Sequence, residues 1–223
     1  MKPIIVFDVN ETLLDLQPVR EWFHSRFDDA PEASTWFGEL LRLSFVSTAT
    51  DQYTPFPELA AAALATTACR HGASIGDGDI AHISGVFTTL PAHDDVADGL
   101  DDLRDAGFTL AALTNSPKEV AETQLSSAGI ACRFDSILSV EIVNRFKPHR
   151  SVYVAASEAL GVTTSQMVMV AAHDWDIAGA LAAGCNGVFV ERPGQNYSSA
   201  FPPPTLTAAT ITHAAEQLIA IHT

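Results

Sequence analysis

PIIVFDVNETLL, at residues 3–14, joins a short β-branched apolar run to a polar run that begins at Asp8. The apolar part is too short for a helix, and its composition predicts a strand over residues 3–9 that is buried on both faces. Strands of this kind belong to parallel sheets, in which ligands bind at the carboxyl ends of the strands. We therefore expect Asp8 to lie at a sheet edge where a ligand binds.

The remainder of the chain shows two patterns on either side of residue 91. Before it, residues 15–90 carry helical periodicity without any strand pattern. After it, helices that stop at glycines alternate with short apolar runs, and this alternation predicts a parallel sheet. The expected strands of this second part lie at 108–113, 137–140, 167–171 and 187–190.

These patterns predict an α/β fold. We expect a doubly wound, Rossmann-like core of residues 1–14 and 91–223, with a helical cap of residues 15–90 inserted after the first strand. Near the end of the chain, the proline-rich residues 192–204 predict a loop, which leads to a final helix over 208–221.

The charge balance narrows the classes of partner. The chain has 27 acidic and 12 basic residues, a formal net charge of −15, and such a surface repels nucleic acids and anionic membranes. Three widely spaced cysteines, Cys69, Cys132 and Cys185, show no metal-binding or disulfide spacing. No apolar run is long enough for a signal peptide or a membrane span. We therefore expect a cytoplasmic protein that binds a small molecule, neither nucleic acid nor membrane.

Four polar clusters follow predicted strands or begin predicted helices, at residues 8–12, 114–116, 147–148 and 173–176. Each cluster alone is typical of a helix cap, but four at one edge of one sheet indicate a functional site. A carboxylate at Asp8 needs a partner in a buried position, and Lys147 is the candidate cation. An ion pair at ~4 Å contributes about 4 kcal/mol at an effective dielectric near 20, which offsets much of the desolvation cost.

The ordered set of motifs resembles the haloacid dehalogenase superfamily, and most closely its L-2-haloacid dehalogenase (type II) branch. The motifs are residues 7–14, Thr114-Asn115, Lys147-Pro148 with Tyr153, and WDIAGA at residues 175–180. The resemblance implies hydrolytic dehalogenation of a small 2-haloalkanoic acid through an aspartyl ester on Asp8. It also implies a homodimer that uses no metal and no cofactor.

The resemblance implies roles for a catalytic set and a substrate-binding set. Asp8 would be the nucleophile, and Asp176 would bind Lys147 and activate water. Thr12 and Thr114 would donate hydrogen bonds to the Asp8 or substrate carboxylates. The ring of Trp175 would line a halide site together with an amide. The full expectation is a catalytic set of Asp8, Thr12, Lys147 and Asp176, and a substrate-binding set of Asn10, Arg42, Thr114, Asn115, Tyr153, His173 and Trp175.

This chain departs from the branch at several of these positions. Phe37 follows Trp36 where the branch carries an arginine, so Arg42 is a candidate substitute. Ala171 and His173 stand where the branch has serine and asparagine, and Asn10 replaces an aromatic residue. We expect His173 to donate to a substrate carboxylate or to carry a proton, since the pKa of histidine lies near neutrality. Tyr153 is expected either to reach Lys147 or the Asp8 cluster, or to pack as a core residue.

Two other functions stay open at this point. A magnesium-dependent phosphatase of the same superfamily has an aspartate two residues after the nucleophile and a Gly-Asp pair after the fourth strand. This chain has Asn10 and Ala171-Ala172 at those places, so an acid and a metal ligand are both missing. A non-catalytic relative that binds a small anion or a protein through its cap is the other alternative. The presence of Asp8, Lys147 and Asp176 together argues against it.

Overall fold

The structure is a computed structural model that describes residues 2–27 and 32–222. Its centre, within these residues, is a six-stranded sheet with the strand order β3-β2-β1-β4-β5-β6, in which all neighbours are parallel. The strands are β1 Ile4–Phe7, β2 Leu110–Thr114, β3 Ser136–Ser139, β4 Met167–Ala171, β5 Asn186–Val190 and β6 Leu206–Ala208. The predicted doubly wound parallel sheet is confirmed.

The register of the central strands sets the position of the polar clusters. Phe7, the last residue of β1, pairs with Ala112 of β2 on one side and with Val170 of β4 on the other. Asp8 therefore leaves the sheet at the same edge as the ends of β2 and β4. The strand order also reverses between β1 and β4, and such switch points are where open α/β sheets bind ligands.

The described residues form nine α-helices. The first four are α1 Gln17–Phe27, α2 Glu32–Ala49, α3 Phe56–Arg70 and α4 Asp77–Thr88. The other five are α5 Val96–Asp105, α6 Lys118–Ser127, α7 Arg150–Ala159, α8 Asp174–Ala183 and α9 Ile211–His222. In the part of the chain that the structure describes, no helix combines the length and the apolar character needed to cross a membrane.

The segment that contains α1–α4 joins the rest of the chain at two ends that lie side by side. The amide of Asp15 donates to the carbonyl of Pro91 (2.8 Å), and the amide of His93 donates to that of Leu13 (3.0 Å). Residues 28–31, inside the predicted cap, lie outside the described residues, as do residues 1 and 223. The division of the chain into core and cap stays a prediction, and this connection is the geometry expected of an inserted module.

The end of the chain corrects one prediction. Residues 206–208, expected between a loop and a helix, form the edge strand β6, which pairs with β5 through Val188 and Leu206. A three-residue strand is too short to show alternation, and it follows a proline-rich loop, so its pairing depends on tertiary contact alone.

Candidate active site

The loop after β1 holds Asp8 rigidly at the sheet edge. The Asp8 amide donates to the carbonyl of Val170 (3.0 Å), which continues the pairing with β4 one residue beyond β1. The amides of Leu13 and Leu14 then both donate to the carbonyl of Val9 (2.9 and 3.0 Å), and this turns the chain back on itself. Asp8 is left only 5% exposed, so its carboxylate needs partners within the protein.

Lys147 is the central cation of the site. Its Nζ donates to Asp8 Oδ1 (2.8 Å), to Asp176 Oδ2 (2.7 Å) and to the carbonyl of Leu113 (2.9 Å). A lysine ammonium has three N–H groups, and all three are used. Burial alone lowers the pKa of Lys147, but Asp176 and Asp8 raise it above its usual value. The ammonium therefore stays charged and joins the two carboxylates.

The second oxygen of Asp8 has two donors. Thr12 Oγ1 donates to Asp8 Oδ2 (2.7 Å) and accepts from the amide of Ala172 (2.9 Å), while His173 Nδ1 lies 3.0 Å from the same Oδ2. Burial opposes ionisation of Asp8, but Lys147 and His173 lower its pKa well below the usual value. Asp8 is therefore an ionised carboxylate at neutral pH, as a nucleophile must be.

His173 lies between two carboxylates. Its Nδ1 faces Asp8, and its Nε2 lies 2.8 Å from Glu11 Oε2. Its ring stacks against Phe37 of α2 and Trp175 of α8, at centroid distances of 6.0 and 4.9 Å. Burial disfavours the charged ring, yet the hydrogen bonds to Asp8 and Glu11 raise the pKa of His173 to about 10. The site thus holds a second cation at neutral pH.

Asp176 occupies the first turn of α8 on the far side of Lys147. Its Oδ1 accepts from the Tyr153 hydroxyl (2.6 Å), and its Oδ2 accepts from Lys147. Tyr153 is buried and also lies 3.0 Å from the backbone carbonyl of Asp176. Burial and the neighbouring charge of Asp8 raise the pKa of Asp176. A carboxylate with a raised pKa is a better proton acceptor than an ordinary one.

Three expected substrate-binding side chains have partners within the protein. Thr114 Oγ1 accepts from the amide of Ser116 (3.1 Å), and its expected hydrogen bond to the Asp8 or substrate carboxylate stays a prediction. Asn115 Oδ1 accepts from the backbone amide of Lys147 (2.9 Å) and so fixes the loop that contains Lys147. Asn10 Oδ1 accepts from Gln124 (3.1 Å), and its Nδ2 lies 3.4 Å from Ser116 Oγ.

Arg42 does not reach the site, contrary to expectation. Its side chain is 57% exposed and pairs with Glu39, at 2.7 Å. Phe37 and Leu41, four residues apart on α2, both line the cavity beside His173. The residue after Leu41 is rotated by about 100° around the helix, so the side chain of Arg42 points to the surface and pairs with the buried Glu39 three residues before it.

Two further residues support the site although the sequence patterns did not single them out. Glu11 is the partner of His173, and its backbone adopts a left-handed conformation with φ of 61°. Arg192 Nε and Nη2 donate to the carbonyl of Thr12 (3.1 and 2.9 Å), and Nη1 pairs with Asp95 (2.8 Å). Arg192 lies two residues beyond the end of β5, so its position near a strand end was a signal that could have identified it.

A cavity of about 210 Å³ lies against this cluster. Its walls include Glu11, Phe37, Leu41, His173 and Trp175, which combine one acid, one cation and three apolar side chains. A second cavity of about 140 Å³, lined mainly by apolar side chains of α2, α3 and α4, includes Ser116 in its wall. Among residues 2–27 and 32–222, no three or more His, Cys, Asp or Glu side chains form a group suited to hold a metal ion.

The chain is similar in sequence to known proteins. The chain is 30% identical over 207 residues to (S)-2-haloacid dehalogenase 1 of Pseudomonas sp. (strain CBS-3), covering 91% of each protein. It is 28% identical over 210 residues to (S)-2-haloacid dehalogenase H-109 of Pseudomonas putida, covering 92% of this chain and 93% of the relative.

A solved structure shares the fold. The L-2-haloacid dehalogenase of Xanthobacter autotrophicus with chloropropionic acid covalently bound superimposes with a TM-score of 0.91, at 21% identity and 98% coverage of both chains. A family model described as a haloacid dehalogenase-like hydrolase matches residues 3–184. The chain therefore belongs to the haloacid dehalogenase-like hydrolases.

Proposed function

We propose that this protein hydrolyses the carbon–halogen bond of small 2-haloalkanoic acids through an ester on Asp8. The observation that carries the proposal is the state of Asp8: a buried carboxylate kept ionised by Lys147 and His173, at the switch point of the sheet. The names of the relatives, which include (S)-2-haloacid dehalogenases and haloacetate dehalogenase H-2 of Moraxella sp. (strain B), support the same substrate class.

The first half-reaction is a displacement at carbon. One carboxylate oxygen of Asp8 attacks the carbon that bears the halogen, the carbon–oxygen bond forms, and the halide leaves with the bonding electron pair. The leaving halide is weakly basic and needs no proton, which fits the absence of an acid at Asn10. Lys147 and Thr12 hold the carboxylate in place during the attack, so that little reorganisation is needed.

The second half-reaction hydrolyses the ester. Water attacks Cγ of Asp8, and we assign the removal of its proton to Asp176, whose pKa is raised by burial. Tyr153 and Lys147 bind one oxygen each of Asp176 and so fix its orientation. Cleavage of the bond between Cγ and the ester oxygen releases the 2-hydroxy acid and restores the Asp8 carboxylate.

The substrate enters, in this proposal, through the cavity beside His173. Sites for drug-sized ligands are about 300–1,000 Å³, so a cavity of about 210 Å³ suits a molecule of few heavy atoms. We propose that residues 15–90 act as a cap, because Phe37 and Leu41 of α2 form its wall. Trp175 and Asn115 are the proposed halide-site residues, and the positive charge of His173 attracts the substrate carboxylate in place of Arg42.

A magnesium-dependent phosphatase fits the site less well. Phosphoryl transfer needs cations at the equatorial oxygens and, in this superfamily, an acid two residues after the nucleophile. Asn10 has no proton to give as an acid, and its side chain is bound by Gln124 and Ser116. Ala172, at the position of the phosphatase ligand, has no oxygen in its side chain.

We further propose that the protein works in the cytoplasm as a homodimer. Three free thiols, those of Cys69, Cys132 and Cys185, support a reducing compartment. The dimer rests on the resemblance to the type II branch alone. Light scattering coupled to size exclusion tests it, and a mass near 24 kDa rather than twice that value would reject it.

A halide-release screen tests the proposed function. The substrates are chloro-, bromo- and fluoroacetate, both enantiomers of 2-chloropropionate, and a generic phosphate ester with and without magnesium. We expect halide from at least one haloacid, and none from Asp8→Asn. The matched control is Glu122→Gln, an acid-to-amide change on the surface of α6, which should retain full activity. Magnesium-dependent phosphate release without any halide would establish the phosphatase instead.

A further inference from the structure

We propose that His173 acts as an imidazolium that stabilises the oxyanion formed on Asp8 Oδ2 during ester hydrolysis, and that Glu11 is the positioning residue that keeps it charged. The proposal deepens the proposed function and rests on it. It assigns His173 to a specific step and assigns a role to Glu11, which lies in the first motif but had no expected role.

The donors around Asp8 show which oxygen takes which part. Oδ1 accepts from one donor, Lys147, whereas Oδ2 accepts from two, Thr12 and His173. An oxygen with fewer donors keeps more lone-pair density for attack on carbon. Oδ1 is therefore the attacking oxygen, and Oδ2 becomes the carbonyl oxygen of the ester, already held by two donors.

The contacts of His173 require both ring nitrogens to be protonated. A neutral imidazole has one N–H donor and one acceptor, so it satisfies only one of two carboxylates. Here Nδ1 lies 3.0 Å from Asp8 and Nε2 lies 2.8 Å from Glu11. Phe37 and Trp175 both stack on the ring, and aromatic faces attract cations.

Other charged groups lie near the ring. Arg20 of α1 and Asp174 of α8 line the same cavity, and Lys147 shares Asp8 with His173. Neither Arg20 nor Lys147 can accept a hydrogen bond from the ring. The hydrogen-bond partners of the ring are the carboxylates of Asp8 and Glu11. When Asp8 becomes an ester it loses its charge, and Glu11 remains as the counter-charge at hydrogen-bond distance.

Ester hydrolysis forms a tetrahedral intermediate at Cγ of Asp8, which then collapses. Water attacks Cγ, one proton of the water passes to Asp176, and the C=O electron pair moves onto Oδ2, where His173 and Thr12 donate to it. The pair returns as the bond between Cγ and Oδ1 breaks, and Asp176 passes its proton to the departing alkoxide. The second water proton ionises from the restored Asp8 carboxyl. His173 keeps both of its protons throughout.

The experiment separates the two half-reactions with the full-length enzyme. Rapid quench measures the halide burst, and intact-protein mass spectrometry measures the Asp8 ester. The loss of one oxyanion donor costs roughly 10²–10³-fold in rate, so His173→Leu, which has no side-chain donor, should slow ester hydrolysis by about that factor and accumulate the ester while halide is still released. Glu11→Gln should slow hydrolysis increasingly as the pH rises above about 6.5, the ordinary pKa of histidine. The rate of ester hydrolysis by the wild-type enzyme should stay constant up to about pH 9.

Ring ¹⁵N shifts of His173 provide a readout that needs no substrate. We expect a doubly protonated ring at pH 8 in wild type and a lower pKa in Glu11→Gln, while Glu21→Gln, an acid-to-amide change on α1, should match wild type. A neutral ring at pH 7, or ester hydrolysis unchanged in His173→Leu, would overturn the inference and leave the proposed function intact. Wild type that forms no ester and releases no halide would overturn both.

Discussion

Removal of the central cation by Lys147→Met should destabilise the protein strongly. The substitution keeps the volume of the side chain roughly constant but takes a fully buried ammonium from between Asp8 and Asp176. Asp8 retains Thr12 and His173 as donors. Asp176 retains only the Tyr153 hydroxyl, so it carries most of the penalty of an unpaired buried charge.

The structure suggests the size and the pH dependence of this loss. Breaking a buried ion pair by removing one partner costs about 3–5 kcal/mol, which for a chain of this length lowers Tm by about 6–20 °C. Without Lys147 the pKa of Asp176 rises further, so the folded variant binds a proton more tightly than the unfolded chain. The loss in the free energy of unfolding should therefore be largest near pH 8 and shrink as the pH falls to about 5.

Urea unfolding of both proteins at pH 5 and pH 8 measures this effect. The matched control is Lys118→Met, which removes a lysine that is 59% exposed and pairs with Glu122 on the surface of α6. It should change the free energy of unfolding by less than about 0.5 kcal/mol. A deficit in Lys147→Met that is small, or equal at the two pH values, would contradict the assignment of Lys147 as the cation between two buried carboxylates.

Three further predictions follow from packing and chemistry. Gly179→Ala should destabilise by about 1–3 kcal/mol, because the new Cβ would lie 2.5 Å from Pro148 Cβ. Gly85→Ala, in the open on α4 with nothing within 4 Å, should instead stabilise by about 0.5–1 kcal/mol; equal effects in urea unfolding would exclude the packing argument. Arg192→Leu should cost about 1–3 kcal/mol and lower kcat, since it releases the carbonyl of Thr12; an unchanged kcat would show that Arg192 is dispensable for the loop. Excess EDTA should leave halide release unchanged, and stimulation by added magnesium would count against a site whose cations are the side chains of Lys147 and His173.

The sequence predicted the sheet and the meeting of the polar clusters because both depend on local patterns. Short apolar runs with alternating helices predict parallel strands, and residues that follow such strands meet at one edge whatever their separation in the chain. Lys147 is 139 residues from Asp8 and 29 residues from Asp176 in sequence, yet its Nζ lies within 3 Å of a carboxylate oxygen of each.

Individual side-chain partners could not be predicted in the same way. The contact of Glu11 with His173 depends on the left-handed backbone at Glu11, a conformation uncommon for residues other than glycine. Arg42 was a candidate by residue type, yet its position on α2 directs it to Glu39. Thr114 follows the expected strand but caps its own loop at Ser116. Such choices are made by tertiary contacts and local geometry that residue type does not encode.

The origin of the oxygen in the product distinguishes attack by Asp8 on the substrate carbon from direct attack by water. Wild-type enzyme in excess over a haloacid is allowed one turnover in H₂¹⁸O, and both the 2-hydroxy acid and the peptide containing Asp8 are analysed by mass spectrometry. If Asp8 forms an ester that water opens at Cγ, the first product carries unlabelled oxygen and one ¹⁸O appears in Asp8. Label in the first product with an unlabelled Asp8 would show that water attacks the substrate carbon and that Asp8 is not the nucleophile.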